Sequence, residues 1–353
     1  MTKDFDLERA LGTLRGRERL LVCTHDDPDP DALAAAWGMR QLLERELGCE
    51  ATVAFDGIIG RAENRAMVRE LGIRLRRIEA LDPARYDGVV LMDTQPGARN
   101  HSAPGSLPVL VCVDHHAALP CDAPVPWLDV RPDGECTATI VLEYLRQRAV
   151  PLSPELATGI LYALKTDTRD LSRGASDGDL EAWNHVSPLA DMRALGRIVN
   201  PPLNARYFRM LLQALRVARV HGDAVLVQMG PLDYPDLVAE VADLFVRSRG
   251  QSWCLCGGTY DGVLRLSVRT EEVTSQAGQL AQALVRSRGG SAGGHGMTAG
   301  GRIPLDEGED PGALWEAIAG EFIRLLGVCL RRRAAPVTRR RGERTPPAAP
   351  AGG

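Results

Sequence analysis

The segment THDDPDPDAL, residues 24–33, gathers His25 and the aspartates Asp26, Asp27, Asp29 and Asp31 within ten positions. Carboxylates crowded in this way repel one another unless something positive sits among them. More acids and imidazoles follow at a distance. Asp93 ends the apolar run GVVLMD (88–93), and Asp114-His115-His116 ends PVLVCVD (108–114). Asp167 follows the helical stretch PELATGILYALK (154–165). Mixed carboxylate and imidazole donors suit a divalent first-row cation, and oxygen-rich sets lean toward Mn²⁺ or Mg²⁺. Two such ions about 3.5–4 Å apart can share a hydroxide and stabilise both oxygens of a phosphoryl displacement. Asp93 is then a candidate carboxylate to stand between them.

These residues act together only if the fold brings them together. RLLVCT (19–24), CEATVAF (49–55), GVVLMD and PVLVCVD read as strands, the last two apolar enough to be buried on both faces of a parallel sheet. DALAAAWGMRQLLERELG (31–48), RAENRAMVRELG (61–72), TATIVLEYLRQRA (137–149) and PELATGILYALK carry helical spacing. The alternation argues for an α/β fold, a parallel sheet with helices on both faces. Ligand sites in such sheets lie at the carboxyl ends of the strands. Three strands thus deliver acids and imidazoles to one edge.

Beyond about residue 189 the pattern changes. A helical stretch is broken by NPPLN (200–204), then strands are expected at 224–230, 252–258 and 262–270, with helices at 235–250, 275–289 and about 311–330. This is a smaller α+β domain, in which GGSAGGHGMTAGG (289–301) reads as a glycine-rich loop. The expected organisation is a catalytic domain over 1–188, a helical linker over 189–218, a second domain over 219–330 and a disordered basic tail over 331–353.

Composition is that of an ordinary globular protein, with 44% hydrophobic and 25% charged residues. No apolar run approaches the roughly 18–20 residues of a membrane span. The first nine residues lack the apolar core of a signal peptide. The expected location is the cytoplasm, with no membrane partner. The net charge of −4 is uneven: seven arginines and one glutamate give the tail +6, leaving −10 elsewhere. A solvated tail is the ordinary reading of that charge run. The eight cysteines contain no C-x-x-C pair, so structural thiols are expected rather than a zinc site.

HDDPDPDA, LMDTQ, VDHH and LKTDTRDLSRGAS resemble, in order and spacing, the four phosphoesterase motifs of the DHH family, named for Asp114-His115-His116. GGSAGGHGMTAGGRI resembles the signature of the accompanying DHHA1 domain. In size and layout the chain is similar to the NrnA-like group of oligoribonucleases and 3′-phosphoadenosine 5′-phosphate phosphatases.

The resemblance implies two Mn²⁺ ions, with Mg²⁺ or Co²⁺ as substitutes. One would be held by His25, Asp29 and Asp93, the other by Asp31, Asp93, His115 and Asp167. His116 would face the scissile phosphate as a catalytic group beside Asp93, and Asp114 would orient the histidines. Arg269, His295 and the backbone at Gly293, Gly294 and Gly300 would bind substrate. The implied activity is metal-dependent hydrolysis of phosphate esters in short nucleotides: oligoribonucleotides, linear dinucleotides or 3′-phosphoadenosine 5′-phosphate. A homodimer is implied by the resemblance alone.

Two alternatives stay open, an inorganic pyrophosphatase or exopolyphosphatase and a nucleotide-binding regulator with impaired catalysis. The last is motivated by departures from the family pattern. Pro30 stands where glycine is usual, Asp27 where asparagine is common, and Thr168-Arg169-Asp170 lacks the usual glycine and aromatic. Asp26, Asp27 and Asp170 are read as solvated or supporting, and His101, His185 and His221 as ordinary polar residues.

Overall fold

The structure is a computed structural model. It describes residues 6–333 except 99, 122–123, 133–135, 173 and 273–275, and leaves out the side chains of His295 and of residues 328–333. Most of the basic tail, 334–353, lies outside the described residues. The chain divides into two compact units, Met1–Ala205 and Arg206–Gly353. The division falls inside the stretch expected as a linker.

In the first unit, α1 (Leu7–Gly12) precedes β1 (Arg19–Cys23), α2 (Pro30–Leu47), β2 (Glu50–Phe55), α3 (Ala62–Leu71) and β3 (Arg76–Arg77). Then come β4 (Gly88–Met92), β5 (Val109–Asp114), β6 (Trp127–Val130), α4 (Thr137–Gln147), α5 (Pro154–Asp167), α6 (Asp177–Val186) and α7 (Met192–Val199). The strands form one sheet in the order β3-β2-β1-β4-β5-β6. Every neighbouring pair is parallel. The chain runs outward from β1 to β3 and then returns to β1's other side with β4. The reversal between β1 and β4 is a topological switch point, where a crevice opens at the strands' carboxyl ends.

Alternation along the strands divides the core in two. Leu20, Val22, Val90, Met92, Val111 and Val113 face α2, α4 and α5, whose inward side chains include Leu33, Met39, Ile140 and Leu161. Leu21, Cys23, Val89, Leu91 and Cys112 face the other way. Both faces are covered, as expected, but unequally. α-Helices cover the first, whereas two short 3₁₀ helices (Ile78–Ala80 and Pro83–Arg85) lie in the connection that leads to β4, and Ile78, Leu81 and Leu107 pack on the second.

Helix ends agree with local chemistry. An aspartate N-cap, a proline in the first turn and a glycine just past the end are the expected punctuation. Asp29 caps α2 by accepting from the Ala32 amide, Pro30 occupies its first position, and Gly48 closes it at φ +65°. β6 was not apparent in the sequence, because four residues with Asp129 among them carry little strand signal.

The second unit comprises α8 (Ala205–Val217), β7 (Arg219–His221), β8 (Ala224–Pro231), α9 (Leu237–Phe245), β9 (Trp253–Tyr260) and β10 (Val263–Thr270). These are followed by α10 (Ala277–Arg286), β11 (Ser291–His295), β12 (Thr298–Pro304) and α11 (Pro311–Arg333). Its sheet runs β11-β12-β10-β9-β8-β7. It is mixed, antiparallel except for β8 with β9. Trp253, Leu266, Trp315 and Phe322 fill the core under α10 and α11. Val227, Met229, Val241 and Cys256 fill the one on the α9 side. A parallel-sheet unit followed by a smaller α+β unit is the architecture expected of a DHH domain followed by a DHHA1 domain.

The glycine-rich segment corrects one expectation. It is a hairpin, β11 and β12, rather than a loop, with Gly293 paired to Gly300 and Gly294 to Ala299. Glycine weakens strands, but here it admits close packing. A Cβ on Gly278 of α10 would stand 2.2 Å from the Gly294 carbonyl oxygen. Gly294 has φ +138°, and a Cβ there would meet the Thr298 carbonyl oxygen at 2.3 Å. Gly294→Ala is therefore expected to destabilise the second unit by about 2 kcal/mol or more. Urea unfolding followed by circular dichroism measures it, and an unchanged midpoint would contradict the packing argument.

Candidate metal centre and active site

The switch point places β1 beside β4, and the chain leaving each strand carries the chemistry. After β1, Thr24 to Asp29 lead into α2. The Asp26 amide donates to the Asn100 carbonyl at 2.6 Å, and the Asp27 amide to the Asp56 carbonyl at 3.0 Å. Asp27 adopts φ +56°, a conformation asparagine and aspartate tolerate. Its carboxylate accepts from the Ile58 amide at 2.8 Å. Asp26 accepts from the Ser102 hydroxyl at 2.9 Å. Both acids shape the loop through these bonds.

His25 donates from Nδ1 to the Asp26 carbonyl at 2.8 Å. That bond turns Nε2 toward two carboxylates, 3.8 Å from Asp29 Oδ1 and 3.5 Å from Asp93 Oδ2. Fixing one ring nitrogen on a carbonyl is how proteins prepare the other as a ligand. Asp93 leaves β4 at φ +58°, while its amide still reaches the Val113 carbonyl at 2.9 Å. The left-handed turn, which aspartate tolerates, sets the direction in which the carboxylate leaves the strand. Asp93 Oδ1 lies 3.6 Å from His115 Nε2 and 3.7 Å from His116 Nδ1. The two oxygens of one buried carboxylate thus face different imidazoles, Oδ2 toward His25 and Oδ1 toward the His115-His116 pair.

Two groups of ligand atoms result, His25 with Asp29 and Asp93, and Asp93 with His115 and His116, each within 4.8 Å. The first is the set expected for one ion. The second expected set, Asp31, Asp93, His115 and Asp167, is drawn together in pieces. Asp31 Oδ2 is 3.9 Å from His115 Nε2, and the Asp167 charge raises the carboxyl pKa of Asp31. His116 stands nearer Asp93 than a purely substrate-facing role requires. Its Nδ1 donates to Asp114 Oδ1 at 2.8 Å. Asp114 also accepts from the amides of His115 and His116 and from the Gln95 side chain. It holds the histidine pair through hydrogen bonds to both amides and to the His116 ring.

Electrostatics follow from this crowding. Burial raises the Asp31 carboxyl well above the usual range, and the charges of Asp93, Asp167 and Asp29 raise it further. For Asp93, burial pushes upward, but the hydrogen bond from His25 and the charges of the three histidines outweigh it and hold the carboxyl low. Burial would lower His116, yet the bond to Asp114 and the charge of Asp93 lift it to about 9. The donor set is hard oxygen with imidazole nitrogen and carries several negative charges in a confined space. It fits one or two divalent cations.

Sequence reasoning missed the first turn of α4 and its support. The Thr137 and Ala138 amides donate to the two oxygens of Asp31 at 2.9 and 2.8 Å. The Thr137 hydroxyl donates to Asp93 Oδ1 at 2.8 Å, and the Cys136 thiol to Asp167 Oδ2 at 3.1 Å. Asp179 of α6 receives the Cys136 amide and the Thr139 hydroxyl. The available signal was the string CTAT opening an apolar helical period, a cap-like start beside no obvious cap.

The departures from the family pattern differ in their local setting. Pro30 sits at the first position of α2, where a missing N–H costs no hydrogen bond. After Asp167 the chain turns through Arg169, Asp170 and Leu171 at φ +46°, +56° and +63°. Three left-handed residues in succession, at roughly 1–2 kcal/mol each, show why glycine would be at home in that turn. An ion pair between Lys165 and Asp170 spans it.

Within the second unit, Arg269 donates from Nε to Asp243 at 2.6 Å and from Nη1 to the Val268 and Ala299 carbonyls. Most of its fork is engaged in the fold. Thr298 pairs across the sheet with both Arg269 and His295, so these positions share one row. The His295 side chain lies outside the described residues. Gly293 and Gly300 share a row with Ser267 two positions along the strands, on the same face of the sheet.

Residues 19–164 match the DHH family, N-terminal domain. This part of the chain is a DHH domain. An uncharacterized protein of Methanocaldococcus jannaschii is 30% identical over 318 residues, 88% of this chain and 64% of that protein. A probable manganese-dependent inorganic pyrophosphatase of Deinococcus radiodurans is 33% identical over 174 residues, 48% of this chain and 54% of its own length. The chain therefore spans less than two thirds of these curated relatives. An exopolyphosphatase-related protein from Bacteroides fragilis shares the fold, with a TM-score of 0.71 at 15% identity over 93% of this chain and 100% of its own. Among the described residues no helix is long and apolar enough to cross a membrane.

Proposed function

We propose that this protein is a hydrolase of phosphate esters that works with two divalent cations, Mn²⁺ first among them, at the switch point of its DHH domain. The observation that carries this reading is the divided carboxylate of Asp93, one oxygen toward His25 and the other toward His115 and His116. His25, Asp29 and Asp93 would hold one ion, and Asp31, Asp93, His115 and Asp167 the other. The ions would supply Lewis acidity and an activated water. The chain's own groups position and protonate. His116, its ring fixed by Asp114 through Nδ1, is favoured in its protonated form by the Asp114 and Asp93 carboxylates in the metal-free protein. It can then neutralise a phosphate oxygen or donate to the leaving oxygen.

For the substrate we favour short nucleotides, meaning oligoribonucleotides, linear dinucleotides or 3′-phosphoadenosine 5′-phosphate. The support for this choice is the resemblance of the glycine-histidine segment of the second unit to the DHHA1 signature, in which His295 and Thr298 pair across the hairpin, as do Gly293 and Gly300. Inorganic pyrophosphate or polyphosphate is the second reading, supported by the relatives named as pyrophosphatases. One panel separates them: short RNA, a linear dinucleotide, 3′-phosphoadenosine 5′-phosphate, pyrophosphate and polyphosphate, each with Mn²⁺, Mg²⁺ and Co²⁺. Phosphate-ester cleavage that is fastest with Mn²⁺ is the expected result. Hydrolysis of pyrophosphate alone would overturn the nucleotide reading, and no hydrolysis with any ion would overturn both.

A further inference from the structure

The first turn of α4 touches three of the clustered acids through three consecutive residues. Cys136 donates its thiol to Asp167, Thr137 its hydroxyl to Asp93, and the Thr137 and Ala138 amides bind both oxygens of Asp31. We propose that Thr137 is a positioning residue that fixes the divided orientation of Asp93, and that Cys136 does the same for Asp167 alone. The inference rests on the two-cation reading and adds to it the groups that keep the acids in place.

The argument begins with cost. Asp31 and Asp93 are each only 2% exposed, so water does little to offset their mutual repulsion. Carboxylates in this situation separate or rotate unless donors hold them. The carboxylate of Asp93 can turn about its terminal torsion, which is broad and two-fold. Thr137 Oγ1 meets Oδ1, the oxygen that faces His115 and His116, and leaves Oδ2 to His25. The hydroxyl thereby decides which oxygen serves which group of ligands. Thr137 is itself fully buried, and its χ1 is restricted by β-branching, so the donor has few alternatives. Asp179 anchors the turn from behind, accepting the Cys136 amide at 3.0 Å and the Thr139 hydroxyl at 2.7 Å.

The two side chains should then differ in what they control. Thr137 acts on the one carboxylate common to both ligand groups, so its loss should weaken both ions. Cys136 acts on Asp167, a candidate ligand of one ion, so its loss should weaken one. Partners that merely orient a ligand are worth about 10–100-fold in metal affinity.

The test is Mn²⁺ binding to the metal-stripped full chain, followed by electron paramagnetic resonance of the free ion. Circular dichroism and the metal-free thermal midpoint serve as fold controls. Wild type is expected to bind two ions. Thr137→Val keeps shape and both main-chain amides, and is expected to weaken both binding steps by about 10–100-fold. Thr137→Ser restores the donor and should restore both steps. Cys136→Ala should weaken one step, and Cys136→Ser should return it. A folded Thr137→Val protein that binds two ions as wild type does would overturn the proposal while leaving the two-cation reading intact. Failure of Thr137→Ser to recover binding would do the same. A wild-type protein that binds no pair of ions would overturn both.

Discussion

Asp93→Asn lowers turnover by more than about 100-fold and leaves the fold intact. The figure is a floor, because roughly 100-fold is already the upper range for residues that only support a ligand. Asp93 does more, since one of its oxygens faces His25 and the other the His115-His116 pair. An amide keeps the volume and can still accept from the Thr137 hydroxyl. It loses the charge, and its nitrogen cannot take an oxygen's place toward a cation. Steady-state rates with Mn²⁺ on the best substrate of the panel measure the loss, and circular dichroism checks the fold. Wild-type turnover in the purified variant would remove the basis for a shared carboxylate.

The second large effect is on stability. Asp179 is 1% exposed and accepts from the Cys136 amide, the Thr139 hydroxyl, and the amide and hydroxyl of Ser176. Asp179→Ala leaves the buried donors of Cys136 and Thr139 without that partner, at about 1–3 kcal/mol each. It also dismantles the capping box of α6. A loss of roughly 3 kcal/mol is expected. In a unit of this size it corresponds to a thermal midpoint about 6–12 °C lower. Mn²⁺ affinity should fall with it, because the first turn of α4 loses its backing. Differential scanning calorimetry of the metal-free protein measures the shift. An unchanged midpoint would mean that water replaces the carboxylate and that the turn needs no anchor.

How much of this was legible before the structure follows from where each signal resides. GVVLMD and PVLVCVD are apolar along both faces, and Asp93 and His115-His116 stand directly beyond them. Strand, strand end and chemistry were therefore written in adjacent residues. His25 and Asp29 were legible for the same reason, and the structure brings both to Asp93. The support given by α4 was not. Two of its four contacts are main-chain N–H donations to Asp31, and an amide leaves no mark in a sequence. Cys136 and Thr137 look like ordinary small residues at a helix start until Asp167 and Asp93 are placed beside them.

The glycine segment misled for a different reason. Glycine usually signals a loop, but here it allows α10 to approach the hairpin backbone at Gly294. Pro30 suggested a damaged motif on the strength of its missing N–H. The helix begins at that residue, so no hydrogen bond within the helix is lost there. Arg269 was read from its motif as a substrate contact. The fold engages its fork with Asp243 and two carbonyls, a commitment that no local pattern reveals.

Anomalous diffraction at the manganese edge, from crystals of the Mn²⁺-loaded protein, tests the central claim most directly. The account predicts two peaks on either side of the Asp93 carboxylate, one toward His25 and Asp29 and one toward His115. A single peak, or two peaks with Asp93 bound to neither, would contradict it.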